Sequence, residues 1–394
     1  MANRFSVSVA GLTGTHPLDL ARQLAAQGQL AAYFTTLPPS RTHGVPPHLV
    51  HRHLALLAPL YALTKDWPIS QRWLHRLIDR EFDRWTSRRA VQTDVVHALA
   101  GIGRVQRLIA RERFGAFSVC DAQTSHVRYQ QALVTAEHTK WGAAPVDWDE
   151  PQIASIEEEY AESDLILTPS NFAYRSFVAR GVPESRLAIV PYGVDGDTYR
   201  PMPKTDGVFR ILFVGMLSLR KGLPYLLDAV STLRWPDAEL ALRGGTTRES
   251  KELLNRYRGT IPISLIPPQP RSALKQLYSN ASVLVLPSIE DAFGLVIGQA
   301  LACGTPVIAT THSGGPDVID PGVNGFIIPP GDAAALRDAL TTAYENRALL
   351  AAMGREARRR VEHAHGWKEY GDGVIAVFGR ALRERAHETR GHAI

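Results

Sequence analysis

The feature that most constrains the fold is a repeated alternation of short apolar runs with longer helical patterns. Runs with strand character lie at 4–11, 94–101, 117–122, 164–170, 187–193, 211–215, 238–244, 263–267, 283–287, 306–310 and 325–329. Helical patterns separate most of these runs, for example at 17–28, 221–233 and 271–281. Because apolar strands joined by helical connectors form parallel sheets covered on both faces, the pattern predicts an α/β protein.

The alternation is interrupted at 194–207, a segment rich in Pro, Gly and Asp that is typical of a linker. With 394 residues the chain is long enough for two domains of ordinary size. We therefore expect two facing doubly wound domains, at 1–195 and 208–375. A C-terminal helix at 376–394 is expected to pack back on the N-terminal domain.

Composition excludes several classes of protein. Cys120 and Cys303 are the two cysteines of the chain, so neither a disulfide framework nor a cysteine-based metal site is expected. The first residues resemble a strand rather than a signal peptide, and the apolar run at 54–63 is too short to span a bilayer. These features predict a cytoplasmic protein. The net charge of +5 favours an anionic partner.

A candidate phosphate site follows the strand at 211–215, which ends at Gly215. The loop reads MLSLRKG and places Arg220 and Lys221 directly before a helix. Ligands of open parallel sheets bind at the carboxyl ends of strands, and helix N-termini attract anions. The pair therefore suits a diphosphate. The alternative is a solvated basic pair.

Three weaker motifs point to no site. GIGRVQ at 101–106 is similar to a dinucleotide fingerprint, but Gln106 occupies the third glycine position. The acid pairs at 147–149 and 195–197 could hold a divalent ion, yet both lie in loop segments, which favours solvated acids. The histidines lack metal spacing. We expect no metal site.

Two acids occur where a helix follows the strand at 283–287. The segment reads PSIEDAFGLVIGQALACGTPVIAT (287–310), with Glu290 and Asp291 just before Phe293 and Gly294. Acids at this position can simply complement the helix dipole. They can also hold the hydroxyls of a sugar.

Together, FVGMLSLRKGL (213–223) and the 287–310 segment resemble the nucleotide-sugar half of the retaining family-4 glycosyltransferases, which have the GT-B fold. The resemblance extends to SDLILTPSNF (163–172), IVPYGVDGDTYRP (189–201) and VNGFIIPPGD (323–332). It implies two Rossmann-like domains with a deep interdomain cleft. It also implies metal-independent transfer from a nucleotide diphospho-sugar, without another cofactor, to a glycan, lipid-linked or small-molecule acceptor.

The resemblance also assigns residues. In the family an acid two residues before the Phe-Gly pair faces the donor sugar, and a second acid eight residues later faces the ribose. Here these positions hold Asp291 and Gln299. Lys221 matches the family's phosphate lysine, and Arg220 is expected to compensate for Met216, which stands where the family often has arginine. The expected donor-binding residues are Gly215, Arg243, Glu290, Phe293, Gly294, Leu295 and Gln299. Glu290 itself is expected to be a surface neighbour of Asp291.

The N-terminal domain is expected to hold the acceptor. The loop GLTGTHP (11–17) contributes Gly14, Thr15 and His16, although a surface histidine at a helix start is the alternative for His16. His126 resembles in position the family's N-domain histidine near the donor sugar. The expected catalytic residues are therefore Lys221, Arg220, Asp291 and His126.

A basic, aromatic segment lies within residues 41–90, which contain Trp67, Trp73 and Trp85. Its helical period suits either a peripheral helix on an anionic membrane, at the inner face of the cell membrane, or a helix that covers the cleft. No nucleic-acid motif accompanies the charge, so nucleic acid is not an expected partner. Rival functions are a related phosphorylase or epimerase, and a catalytically weakened sugar-nucleotide-binding protein.

Overall fold

The computed structural model describes residues 5–12, 16–53, 72–257 and 262–391. Two sheets form the framework, and every strand pair in them is parallel. Within the described residues the N-terminal sheet has seven strands, in the order β3-β2-β1-β4-β5-β6-β7. The C-terminal sheet has six, in the order β10-β9-β8-β11-β12-β13. In each sheet the strands run outward in both directions from its first strand in the chain, which is β1 in the N-terminal sheet and β8 in the C-terminal sheet. This order is typical of doubly wound folds.

The N-terminal strands are β1 (Val7–Ala10), β2 (Leu30–Thr35), β3 (Val50–Arg52), β4 (Val95–Leu99), β5 (Phe117–Asp121), β6 (Leu165–Thr168) and β7 (Leu187–Ile189). The C-terminal strands are β8 (Phe209–Val214), β9 (Ala238–Arg243), β10 (Ile263–Ile266), β11 (Val283–Leu286), β12 (Val307–Thr310) and β13 (Gly325–Ile328).

The N-terminal helices are α1 (His16–Ala26), α2 (Arg72–Ser87), α3 (Arg104–Phe114), α4 (Val127–Lys140), α5 (Glu150–Glu162) and α6 (Asn171–Val178). The C-terminal helices are α7 (Leu223–Ser231), α8 (Arg248–Arg256), α9 (Arg271–Asn280), α10 (Leu295–Ala302), α11 (Gly315–Val318), α12 (Ala333–Glu345), α13 (Arg347–Ala364) and α14 (Trp367–Gly391).

Every predicted strand is present, but β2 and β3 were not predicted. A single 3₁₀ turn at Pro47–Leu49 leads directly into the edge strand β3. The strand pairs with β2, with Tyr33 opposite Val50.

Both faces of the central strands are covered, as the apolar runs require, whereas the edge strand β10 leaves Leu265 58% exposed. In β11, Val283 and Val285 pack into one apolar cluster while Leu284 and Leu286 pack into another. All four side chains are buried. Alternating side chains therefore meet helices on opposite sides of the sheet.

The chain crosses between the domains at two adjacent places. Val194 forms a parallel bridge with Gly366, and its N–H donates to the carbonyl of His365 at 2.8 Å. A Cβ on Gly193 would lie 2.6 Å from the carbonyl oxygen of Gly366, so a side chain there would separate the two crossing segments. After the second crossing, α14 packs on α1 and buries Phe378.

The structure describes residues 41–53 and 72–90 of the segment that contains the basic and aromatic residues, and helix α2 lies in the second range. Phe82 is fully buried, and Trp85 stacks on His53 with ring centroids 4.9 Å apart. Towards the N-terminal half of the helix, Leu77 is 50% exposed. Trp67 lies outside the described residues. In the described part of the chain, no helix is both long and apolar enough to cross a membrane.

Candidate active site

The loop after β8 forms a compact turn that presses against the loop after β11. The N–H groups of Lys221 and Leu223 both donate to the carbonyl of Ser218, at 3.2 and 3.3 Å. Gly222 has φ = +71°, and a Cβ there would lie 1.8 Å from the carbonyl oxygen of Pro287. This position therefore admits only glycine, for both its backbone angle and its close approach.

Two ion pairs join these loops at the carboxyl end of the C-terminal sheet. Lys221 Nζ lies 2.5 Å from Asp291 Oδ2, and the two side chains are 12% and 17% exposed. Arg220 Nη1 donates to the Glu290 carboxylate at 2.8 Å and to the Glu290 carbonyl at 3.2 Å. The structure thus brings together the four charged residues that the sequence singled out.

The turn at Phe293 and Gly294 begins α10. Gly294 has φ = +78° and is the N-terminal cap, so Leu295 is the first residue of the helix. A Cβ on Gly294 would lie 3.5 Å from Asp291 Oδ2, which places this carboxylate beside the helix N-terminus. Phe293 is buried and packs edge-on against Tyr192 of the interdomain segment, 5.3 Å between ring centroids.

Glu290 corrects one prediction. We expected it to be a surface neighbour of Asp291, but it is completely buried. Its carboxylate accepts hydrogen bonds from Ser125 Oγ and Gln130 Nε2 of the N-terminal domain, both at 2.8 Å. The two adjacent acids therefore have different environments: Asp291 lies beside Lys221 in the cleft, and Glu290 bridges the domains.

Further contacts join the domains around this site. Asn171 Nδ2 donates to Asp317 Oδ1 at 2.6 Å, and the Phe172 ring stacks on His312. Burial raises the pKa of Asp317, an effect that the hydrogen bonds from Asn171 oppose. On the other side, Lys140 Nζ donates to the Tyr225 hydroxyl at 2.9 Å.

Two residues expected beside the nucleotide are Arg243, the last residue of β9, and Gln299 in α10. Gln299 Oε1 accepts a hydrogen bond from the hydroxyl of the buried Tyr278 at 2.7 Å. Arg243 Nη2 donates to the Gln269 carbonyl at 3.3 Å. Met216 lies in the loop after β8, directly after Gly215, and is 49% exposed.

His126 lies at the start of the helix that follows β5. It caps α4, with Nδ1 accepting from the N–H of Arg128 at 3.2 Å. Its ring is buried against Tyr160 and Phe177 inside the N-terminal domain. Burial lowers its pKa to about 4, so the ring is neutral at pH 7. The neighbouring Ser125 contacts Glu290 of the other domain. The role of His126 near the donor sugar stays a prediction.

His16 is buried, which rules out the alternative of a surface histidine. Its Nε2 lies 2.8 Å from Asp121 Oδ2 and 3.2 Å from the Tyr192 hydroxyl. His97 Nε2 is 3.2 Å from the same carboxylate oxygen. Burial acts to raise the pKa of Asp121, but the contacts with His16 and His97 outweigh it and lower this pKa. Gly14 and Thr15 lie outside the described residues.

Sequence reasoning missed Asp121. The one available signal was its position as the last residue of β5, at the carboxyl end of the sheet where ligands of this fold class bind.

The weaker motifs have structural roles. Asp83 accepts hydrogen bonds from the N–H groups of Val105 and Gln106, and so occupies the helix N-terminus that a dinucleotide would need. Asp149 caps α5, and Asp195 accepts from the backbone of its own turn. Among the described residues no cluster of His, Cys, Asp or Glu could hold a metal ion.

Two family models match the chain. Residues 13–198 match the model of Glycosyltransferase Family 4, and residues 199–360 match the model of Glycosyl transferases group 1. The D-inositol 3-phosphate glycosyltransferase of Xylanimonas cellulosilytica is 30% identical over 319 residues, which cover 74% of this chain and 73% of that protein. The chain belongs to glycosyltransferase family 4. It is a glycosyltransferase with the GT-B fold.

Solved structures show the same fold. Sucrose-phosphate synthase from Thermosynechococcus elongatus superposes with a TM-score of 0.70 at 20% identity, covering 97% of this chain and all (100%) of that one. Anabaena Alr3699/HepE, solved in complex with UDP, superposes with a TM-score of 0.67 at 15% identity, covering 95% and 100% of the two chains.

Proposed function

We propose that this glycosyltransferase moves a sugar from a nucleotide diphospho-sugar to an acceptor hydroxyl, with retention of configuration and without a metal ion. The observation that carries the proposal is the position of Arg220 and Lys221 in the cleft, directly before α7 and beside the Phe293–Gly294 turn. Two cations at a helix N-terminus suit a diphosphate.

The difficult step is cleavage of the bond between the anomeric carbon and the diphosphate oxygen. The electron pair leaves with that oxygen, so negative charge develops on the diphosphate. Lys221 and Arg220, together with the positive end of the α7 dipole, would stabilise this charge. Because these groups supply the positive charge, the proposed mechanism requires no divalent ion.

The donor sugar would lie against the Phe293–Gly294 turn. The Asp291 carboxylate can accept hydrogen bonds from its hydroxyls, and charged hydrogen bonds of this kind are roughly twice as strong as neutral ones. The pairing of Asp291 with Lys221 also fixes the position of the carboxylate before the donor arrives.

In the proposed mechanism the acceptor hydroxyl attacks from the same face that the diphosphate leaves, which retains the configuration. The departing diphosphate oxygen can then take the acceptor's proton, so no protein base is needed. The acceptor would enter from the side of the N-terminal domain, past His16. D-inositol 3-phosphate, which the matched relatives are named for, is the first small-molecule acceptor to test. Glycan and lipid-linked acceptors are the other classes.

A thermal-shift screen against nucleotide diphospho-sugars tests the donor. A ligand at 100 times its dissociation constant stabilises the folded state by roughly 2.7 kcal/mol. We expect at least one donor to raise the melting temperature of the wild type and to lose most of that effect in Lys221→Ala. If no nucleotide diphospho-sugar stabilises the wild type, the proposed donor class is wrong. Binding without any hydrolysis or transfer would instead favour a sugar-nucleotide-binding protein.

A further inference from the structure

The Glu290 carboxylate forms a hydrogen-bonded network with groups from both domains. Its Oε2 accepts from Arg220 Nη1 and from Gln130 Nε2, each at 2.8 Å. Its Oε1 accepts from Ser125 Oγ at 2.8 Å and lies 3.4 Å from the Ser125 N–H. Each carboxylate oxygen therefore accepts a hydrogen bond from the N-terminal domain.

Because the Glu290 carboxylate is buried, its stability in the folded protein depends on these hydrogen-bond partners. Glu290 is completely buried, and a buried carboxylate is unstable unless it is paired and hydrogen-bonded. Ser125 and Gln130 belong to the loop after β5 and to α4, 165 and 160 residues away in sequence. If the domains separated, Glu290 would keep Arg220 but lose both N-terminal donors. The network is complete only when the cleft is closed.

Only one nitrogen of the Arg220 guanidinium is bonded to Glu290, so the other two remain available for a ligand. Nη1 makes both bonds to Glu290, and Nη2 and Nε have no hydrogen-bond partner among the described residues. The side chain is 35% exposed. The guanidinium is planar, so fixing one edge also fixes the direction of the other. A fixed pair of N–H donors matches the geometry of phosphate oxygens.

We propose that Glu290 is a positioning residue that couples closure of the cleft to the orientation of Arg220. In the closed form Ser125 and Gln130 hold the Glu290 carboxylate, and the carboxylate orients the free edge of Arg220 towards the donor diphosphate. The nature of the anion rests on the proposed function. The contact of Glu290 with Ser125 and Gln130 is independent of the proposed function.

The chain supplies a matched control for this contact. Gln130→Ala and Asn171→Ala each remove one hydrogen bond between a side-chain amide and a buried or partly buried carboxylate of the other domain. The acceptor of Asn171 is Asp317, which has no ion pair with either cation of the candidate phosphate site among the described residues. Only Gln130→Ala should therefore affect Arg220.

Closure can be measured without any substrate. Both native cysteines are buried, so spin labels can be attached to Ala136→Cys on α4 and Asn255→Cys on α8, which are exposed positions on opposite domains. In the full-length protein we expect a single short distance by double electron–electron resonance. A Ser125→Ala, Gln130→Ala double variant should add a longer distance. An unchanged distribution in that variant would overturn the proposal.

Orientation of Arg220 is tested by a double-mutant cycle with inorganic pyrophosphate as the probe. We expect Gln130→Ala to weaken pyrophosphate binding by about tenfold, the equivalent of about 1.4 kcal/mol, when Arg220 is present. In the Arg220→Ala background Gln130→Ala should have no further effect, and Asn171→Ala should change binding little in either background. An equal loss from Gln130→Ala in both backgrounds would overturn the coupling.

The two experiments separate the inference from the function on which it rests. If the wild type fails to bind pyrophosphate, the proposed diphosphate site is wrong, and the label distances still decide whether Ser125 and Gln130 hold the cleft closed. If the wild type binds pyrophosphate but the cycle shows no coupling, the proposed function stands and the role of Glu290 is overturned.

Discussion

Replacing Lys221 by alanine should reduce turnover at least about a hundredfold. The Nζ atom is 2.5 Å from Asp291 and the side chain is 12% exposed, so the cation is held in place in a site with little water. Loss of one such preorganised electrostatic contact to the developing charge typically costs roughly 3 kcal/mol of activation free energy. Substrate binding should weaken less than turnover, because the charge on the leaving group is greatest in the transition state.

The same substitution has a cost in stability that must be separated from catalysis. It leaves the Asp291 carboxylate, 17% exposed, without its cation, and such a loss destabilises the fold by about 1–3 kcal/mol. Neutralising the acid removes that cost. We therefore expect Lys221→Ala with Asp291→Asn to melt near the wild-type temperature while remaining as inactive as Lys221→Ala alone.

The assay is steady-state transfer or donor hydrolysis at saturating donor, with calorimetric melting of each variant. Lys251→Ala is the control, because Lys251 is an exposed lysine on a neighbouring helix of the same domain. Near-normal turnover in Lys221→Ala, with the fold intact, would refute the diphosphate assignment.

Three further predictions follow from the geometry. His126 has a pKa lowered by burial to about 4, against about 6.5 when unfolded, so the stability it provides is complete above pH 6.5 and is lost as the pH falls to 4. Up to about 3 kcal/mol of the unfolding free energy should disappear over that range, and His126→Asn, which keeps a capping acceptor, should flatten this part of the profile in denaturant titrations. Gly222→Ala should cost far more stability than Gly28→Ala, because both glycines have positive φ but only the first has a carbonyl oxygen 1.8 Å from the added Cβ; equal melting temperatures would contradict this. Gln299→Glu should retain or tighten binding of a nucleoside diphosphate in calorimetric titrations, because a carboxylate can accept from Tyr278 with one oxygen and face the ribose with the other; loss of all binding would show that the ribose lies elsewhere.

The fold could be predicted from sequence because the central strands of both sheets are buried apolar runs. Five of the six strands of the C-terminal sheet are followed directly by Gly or Pro, and every strand of that sheet was predicted. The exceptions are informative. β2 begins Leu-Ala-Ala soon after α1, which has the composition of a helix, and β3 is a three-residue edge strand with two polar side chains. Neither carries a strong local signal.

The candidate site was only partly predictable. Lys221 and Asp291 could be found because each lies in a motif at the end of a strand, and the topology brings those ends together. Glu290 could not be placed in the same way. Sequence places it beside Asp291, but its environment depends on Ser125, 165 residues earlier and in the other domain.

The packing of His126 was also not predictable from the sequence. A histidine after a strand of the N-terminal domain matched the expected position, yet its ring fills an apolar space between Tyr160 and Phe177. This packing depends on side chains from α4, α5 and α6, so the sequence around His126 alone does not predict it.

The most direct test of the account is the anomeric configuration of the product, measured by proton NMR during transfer from an α-linked nucleotide diphospho-sugar in the presence of EDTA. The donor and acceptor are those identified by the thermal-shift screen and by the acceptor test. We expect an α-linked product, formed at the same rate with and without the chelator, because Arg220, Lys221 and the N-terminus of α7 supply the positive charge. A β-linked product, or transfer that requires an added divalent ion, would contradict the proposed mechanism.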